Sequence, residues 1–141
     1  MTSAGEGTSV LTVRVLLVDD EEDARASLAE RLRRFRDVEL VGAVRDEQEA
    51  AGALTKREPD VLLVDLHSRH WEGDGVQLCC ELRKMVSAPV VVLTSFMTRE
   101  RWQRLRAAGV ANCLLKQVDS ERLERELVLV GKRYRSDFAA P

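Results

Sequence analysis

Five short runs of branched aliphatic residues recur along the chain, each apolar at consecutive positions and each followed by a segment whose apolar residues fall at helical spacing. Strands are predicted over 13–18, 38–44, 61–64, 90–93 and 112–115, and helices over 21–35, 47–56, 75–85, 99–107 and 120–132. Runs such as Val61-Leu62-Leu63-Val64 and Val90-Val91-Val92-Leu93 are apolar on both faces. They suit a parallel sheet covered by helices on both sides, not a sheet with one wet face. Leu28, Leu32 and Phe35 in the first helix, Leu78 and Leu82 in the third, and Leu123, Leu127 and Val130 in the last supply the covering stripes. Pro59 and Pro89 each stand just before a strand and block a helix from continuing, while Asp119 or Ser120 caps the last helix. The expected fold is α/β, a doubly wound five-stranded parallel sheet with helices on both faces.

The 141 residues, 45% hydrophobic and 33% charged, are enough for one core and one domain. Residues 1–12 are rich in Gly, Ser and Thr and read as a flexible tail, 13–132 as the folded unit, and 133–141 as a second tail or the start of a linker; these residues hold no output domain, and both a unit that works alone and the receiver part of a longer regulator stay open. A net charge of -2 gives no basic surface of the kind that holds nucleic acid, so direct nucleic-acid binding is not expected. Arg99, Arg101, Arg104 and Arg106 read as a solvated helix face. Cys79, Cys80 and Cys113 are odd in number and lack metal-type spacing, which fits small core residues in a reducing, cytoplasmic setting. No apolar run approaches the ~20 residues of a membrane span, so no membrane association is expected.

In an open parallel sheet, ligands bind beyond the carboxyl ends of the strands. Here the first strand ends in Asp19-Asp20, the third in Asp65, the fourth in Thr94-Ser95 and the fifth in Lys116. Any one of these alone reads as a turn former, but together they would converge on one rim. Three carboxylates at close range repel, so they need a cation or raised pKa values. Mg²⁺ suits carboxylates, carbonyls and water, and leaves positions for phosphate oxygens. Lys116 adds a mobile positive charge and Thr94 a hydroxyl donor.

These residues resemble the receiver domain of two-component response regulators, over nearly the whole of 13–132. Leu16-Leu17-Val18-Asp19-Asp20-Glu21 is similar to that family's acidic metal-binding corner, Asp65 to its phosphoacceptor, Thr94 to its switch hydroxyl and Lys116 to its catalytic lysine. The resemblance implies a flavodoxin-like strand order of 2-1-3-4-5. It also implies Mg²⁺ held by Asp20 and Asp65, by Asp19 mostly through water, and by the backbone carbonyl of His67, with no requirement on the His67 side chain. The implied partners are a sensor histidine kinase or phosphotransfer protein, a downstream protein and a second copy of the chain. The implied activity is limited to the domain's own phosphorylation and dephosphorylation. The stretches Val38-Glu-Leu-Val-Gly-Ala and Asn112-Cys-Leu-Leu-Lys116 are most similar to the subgroup that usually carries a C-terminal helix-turn-helix domain.

The pattern departs from the family in three places. The loop from Asp65 to Asp74-Gly75 is longer and has no Met-Pro; Cys113 stands where the family has a switch aromatic; and Gln117 stands where a proline usually follows the lysine. His67 and His70 lie in the long loop and read as solvated loop residues, with transition-metal binding the lesser alternative. Trp71 and Trp102 read equally as partner contacts or as partial core. Phe96, near the expected phosphate, reads as a screen against attacking water. The altered loop and Cys113 keep open a second reading, a receiver-like interaction module that signals without phosphorylation. A flavodoxin is disfavoured because acids stand where its phosphate loop would be, and an aspartyl-phosphate phosphatase because its second Asp would fall at His67.

Overall fold

The computed structural model describes residues 12–67 and 75–139. All but Thr12 of the expected N-terminal tail lies outside the described residues, as do His70, Trp71 and Asp74. In chain order the elements are β1 (Val13–Val18), α1 (Glu22–Arg33), β2 (Val38–Val44), α2 (Glu47–Leu54), β3 (Val61–Leu66), α3 (Val76–Met85), β4 (Val90–Thr94), α4 (Arg99–Ala107), β5 (Val110–Leu115) and α5 (Ser120–Ala139). The strands form one parallel sheet in the order β2-β1-β3-β4-β5. The order reverses between β1 and β3, which opens a crevice at their carboxyl ends.

Strand alternation divides the core between the two faces. Val13, Val15 and Leu17 of β1 pack with Leu28, Leu32 and Phe35 from α1 and with Leu123 and Leu127 from α5. Leu16 and Val18 point the other way, into a cluster with Ala50 of α2, Leu78, Cys79 and Leu82 of α3, and Leu105 of α4. Every residue of β3 is buried, as expected of a central strand covered on both faces. The helices begin where side chains satisfy their free amides: Glu21 accepts from the Ala24 amide at 2.8 Å, Asp46 from Glu49 at 3.0 Å, Thr98 from Arg101 at 3.1 Å and Asp119 from Arg122 at 2.8 Å. Gly75, ahead of α3, has φ +78°, and a Cβ there would come within 2.6 Å of the Leu66 side chain, so both backbone and space require glycine.

Several boundaries differ from expectation. β3 and β4 run on to Leu66 and Thr94, so Asp65 and Thr94 lie within strands, and β5 starts at Val110. α5 continues to Ala139, about two turns past residue 132, into the segment expected to be a tail or linker. Gly131 does not stop it; this glycine is buried against β1, where a Cβ would overlap Val13 Cγ1. Beyond it, Arg135 Nε reaches Asp60 Oδ1 at 3.3 Å. Arg101 is a correction to the solvated arginine face: it is 7% exposed and donates to the Phe96 carbonyl at 2.7 Å, while Arg99, Arg104 and Arg106 are exposed. Trp102 packs partly into the α2–α3–α4 side of the core. Cys79 is buried, Cys80 and Cys113 are half-buried, and all three are free. Among the described residues no helix is long and apolar enough to cross a membrane.

Candidate functional site at the carboxyl ends of the strands

Asp19 follows β1 directly, Asp65 is the penultimate residue of β3, Thr94 is the last of β4 and Lys116 follows β5. Register brings them together, with Leu66 opposite Thr94, Thr94 opposite Leu115, and the Lys116 amide donating to the Thr94 carbonyl at 2.9 Å. Asp19, Asp65 and Thr94 are all buried. Lys116 Nζ approaches Asp65 Oδ1 to 2.8 Å outside hydrogen-bond geometry, so charge holds the pair. A cleft of about 440 Å³ opens beside them, lined by Asp65, Lys116, Leu93, Ser27, Arg31 and Ser120. Arg31 holds its rim by donating to Ser120 Oγ at 2.8 Å and to the Val118 carbonyl at 2.7 Å.

Asp19 Oδ1 accepts from the Glu21 amide at 3.0 Å and lies 2.8 Å from His67 Nε2. Its other oxygen, Oδ2, is buried and has no hydrogen-bond partner among the described residues. Burial pushes Asp19 up to about 6, with the neighbouring Asp65 charge adding to the rise and the Glu21 amide opposing it. A carboxylate held this way is short of positive charge, as the strand-end pattern requires. Asp19, Asp20 and His67 each place a ligand atom within 4.8 Å of the others'. This donor set and the orphaned Oδ2 fit a divalent cation. Asp65 stands beside the set, paired with Lys116.

His67 departs from its expected place as a solvated loop residue. Its side chain is 15% exposed and bridges the site, with Nε2 on Asp19 Oδ1 and Nδ1 3.0 Å from Lys116 Nζ. An ammonium has only protons to give, so Nδ1 accepts and Nε2–H donates to Asp19. The sequence signal was present, a histidine two residues past the third-strand aspartate, but nothing in the sequence said that the ring turns inward. Thr94 Oγ1 donates to the Phe96 carbonyl at 3.2 Å, the same oxygen that receives Arg101 Nη1. The Phe96 ring is 63% exposed. Cys113 is half-buried against the core, where burial pushes its thiol up to about 11.

The model of the response regulator receiver domain family matches residues 15–128. The transcriptional regulatory protein PdtaR of Mycobacterium tuberculosis is 34% identical over 122 residues, 86% of this chain and 58% of that protein. LiaR of Bacillus subtilis, also a transcriptional regulatory protein, is 36% identical over 106 residues, 74% of this chain and 49% of its own length. The chain thus spans about half the length of the curated relatives it matches. Among solved structures, the signal receiver domain of the regulator NarL from Mycobacterium tuberculosis superposes with a TM-score of 0.72 at 23% identity, covering 86% of this chain and 97% of that one. The receiver domain of a modulated diguanylate cyclase from Desulfovibrio desulfuricans gives 0.71 at 26% identity, covering 89% and 98%.

Proposed function

Because the chain belongs to the response regulator receiver domain family, we propose that it accepts a phosphoryl group on Asp65 from the phosphohistidine of a sensor histidine kinase or phosphotransfer protein. The observation that carries this reading is the buried Asp65 carboxylate paired at 2.8 Å with the partly exposed Lys116 on the rim of an open cleft, with Thr94 one strand away. An Asp65 oxygen attacks phosphorus in line, the bond to the donor imidazole breaks, and the imidazole leaves to take up a proton from solvent. Lys116 remains on the acquired phosphoryl group as a counter-charge. Thr94 exchanges its hydrogen bond on the Phe96 carbonyl for one on a phosphoryl oxygen. That exchange alters the segment ahead of α4, which gives the domain its two states for a downstream protein or a second copy to distinguish.

Asp20 and Asp65, Asp19 through water and the His67 backbone carbonyl would hold Mg²⁺, which supplies charge neutralisation on the phosphoryl oxygens. The reading makes residues 13–132 a cytoplasmic signalling unit, with catalysis confined to its own phosphorylation and dephosphorylation. It assigns the chain no direct role on nucleic acid or membrane. Incubation with phosphoramidate and Mg²⁺, followed by intact-mass measurement, should add one phosphoryl group of roughly 80 Da. The gain should vanish in Asp65→Asn and on chelation. No gain from a folded chain would refute the phosphoacceptor and leave the receiver-like module that signals without phosphorylation.

A further inference from the structure

The His67 ring lies at the one place where a nitrogen ligand changes what the acidic pocket prefers to bind. We propose that its Nε2 joins Asp19 and Asp20 as a third side-chain ligand, so that the pocket takes a first-row transition ion, Co²⁺ or Ni²⁺ above all and Mn²⁺ less strongly, in preference to Mg²⁺. The inference rests on the reading of this pocket as the domain's cation site, and for such an ion it puts the His67 ring in place of the His67 carbonyl, which Mg²⁺ would use.

Three observations carry it. The ring nitrogen and the two carboxylates already lie within 4.8 Å of one another, the span of donors around a single ion. Nε2 stands 2.8 Å from Asp19 Oδ1, close to the ~3 Å that separates adjacent ligands on an octahedral ion with ~2.1 Å bonds. The fully buried Asp19 aims a second oxygen, Oδ2, with no hydrogen-bond partner among the described residues. Affinity of an N/O site rises along the first row from Mn²⁺ to Ni²⁺, and imidazole suits Fe²⁺, Ni²⁺ and Zn²⁺, whereas Mg²⁺ favours oxygen donors.

Proton accounting ties this ligation to Lys116. In the state described, the imidazole is neutral with its proton on Nε2, and Nδ1 accepts from Lys116 at 3.0 Å. To bind an ion through Nε2, the ring exchanges that proton with solvent and carries one on Nδ1 instead, so its net proton count is unchanged. Nδ1–H then faces an ammonium with nothing to accept. Lys116 leaves the ring for Asp65, already 2.8 Å away, where the proposed phosphoryl chemistry needs it.

The test uses the full chain, freed of metal by chelation and kept reduced with a phosphine. Ni²⁺ and Mg²⁺ are titrated calorimetrically into the wild type, His67→Ala and Asp20→Asn, and Mn²⁺-loaded protein is examined by pulsed electron spin echo. Loss of an outer-shell partner alone weakens metal affinity by ~10–100-fold, so losing a ligand should weaken Ni²⁺ at least about tenfold. His67→Ala should do so while Mg²⁺ affinity changes little. Asp20→Asn should weaken both ions. Wild-type Mn²⁺ should show modulation from a directly bound ¹⁴N, absent in His67→Ala. Unchanged Ni²⁺ affinity in either variant, or no nitrogen modulation in the wild type, overturns the proposal. A rise in Mg²⁺ affinity in His67→Ala also overturns it, because the ring would then be a placeholder displaced by the ion. The phosphoryl mass gain in Mg²⁺ is scored separately: gain without nitrogen ligation removes this inference and keeps the phosphoacceptor, and the reverse removes only the phosphoacceptor.

Discussion

Replacing Asp19 by Asn should stabilise the metal-free fold, and the gain should depend on pH. Asp19 is fully buried, and burial above all lifts its pKa from 3.8 to about 6. A group whose folded pKa lies above its unfolded one binds its proton more tightly when folded, so stability from this group falls as pH rises between the two values. The penalty is absent below the unfolded pKa and complete above the folded one. At ~1.4 kcal/mol per pKa unit, ionised Asp19 costs the fold about 3 kcal/mol. Asn is nearly isosteric, and its carbonyl can keep both the Glu21 amide and the His67 Nε2–H. Its amide protons face the carboxylates of Asp65 or Asp20. Subtracting the amide's own desolvation leaves a net gain of about 1–3 kcal/mol. Urea denaturation in chelator should show that gain near pH 7.5, narrowing as pH falls to roughly 4.5, where wild-type Asp19 is largely protonated. A gap of the same size at both pH values, or an Asn variant no more stable at the higher pH, would show that burial is not what strains this carboxylate.

Three further outcomes follow from contacts elsewhere in the fold. Gly131→Ala places a methyl against Val13; overpacking of about 1–3 kcal/mol outweighs the helix-propensity gain of up to ~1, so differential scanning calorimetry should show a lower Tm. Asp60→Asn loses charge from a buried site that holds the Arg14 amide at 2.8 Å and Arg135 Nε at 3.3 Å; amide exchange should quicken in the last two turns of α5 more than in the core strands. Arg101→Ala removes the buried donor to the Phe96 carbonyl, at a cost of about 2 kcal/mol in urea, and exchange in the segment between β4 and α4 should rise; an unaltered segment would show that Thr94 alone secures it.

The sheet and its helices were legible because burial on both faces leaves a plain record. Val61-Leu-Leu-Val and Val90-Val-Val-Leu admit no wet face, and helical stripes between them leave one class of fold. Asp19, Asp65, Thr94 and Lys116 were legible as strand ends, since topology alone brings strand ends together. What sequence could not supply were decisions made between elements. The last helix is expected to end at residue 132 until Gly131 is seen packed on Val13 and Arg135 within reach of Asp60. Arg101 looks like one of four solvated arginines until the Phe96 carbonyl is placed within its reach. His67 belongs to the same class: a histidine after a strand carries no periodicity, and its inward turn is settled by two partners 48 and 49 residues away.

The two ends of the sheet treat their buried acids differently. Asp60, at the amino end of β3, is 2% exposed, and each of its oxygens has a partner: Oδ2 takes the Arg14 amide and Oδ1 the Arg135 guanidinium. Such a carboxylate has its charge matched within the fold, and it acts as a clip between β1, β3 and α5. Asp19, at the carboxyl end of β1, is as deeply buried yet has one oxygen unpartnered among the described residues and another carboxylate beside it. Both acids could have been neutralised by arginines, and among the described residues this happens at only one end. Leaving Asp19 under-matched weakens the fold, a cost that selection for stability alone would remove. On the proposed reading, the missing positive charge arrives from outside, as a cation. The distribution of counter-charge, more than burial, therefore distinguishes the working rim of this sheet from its structural base.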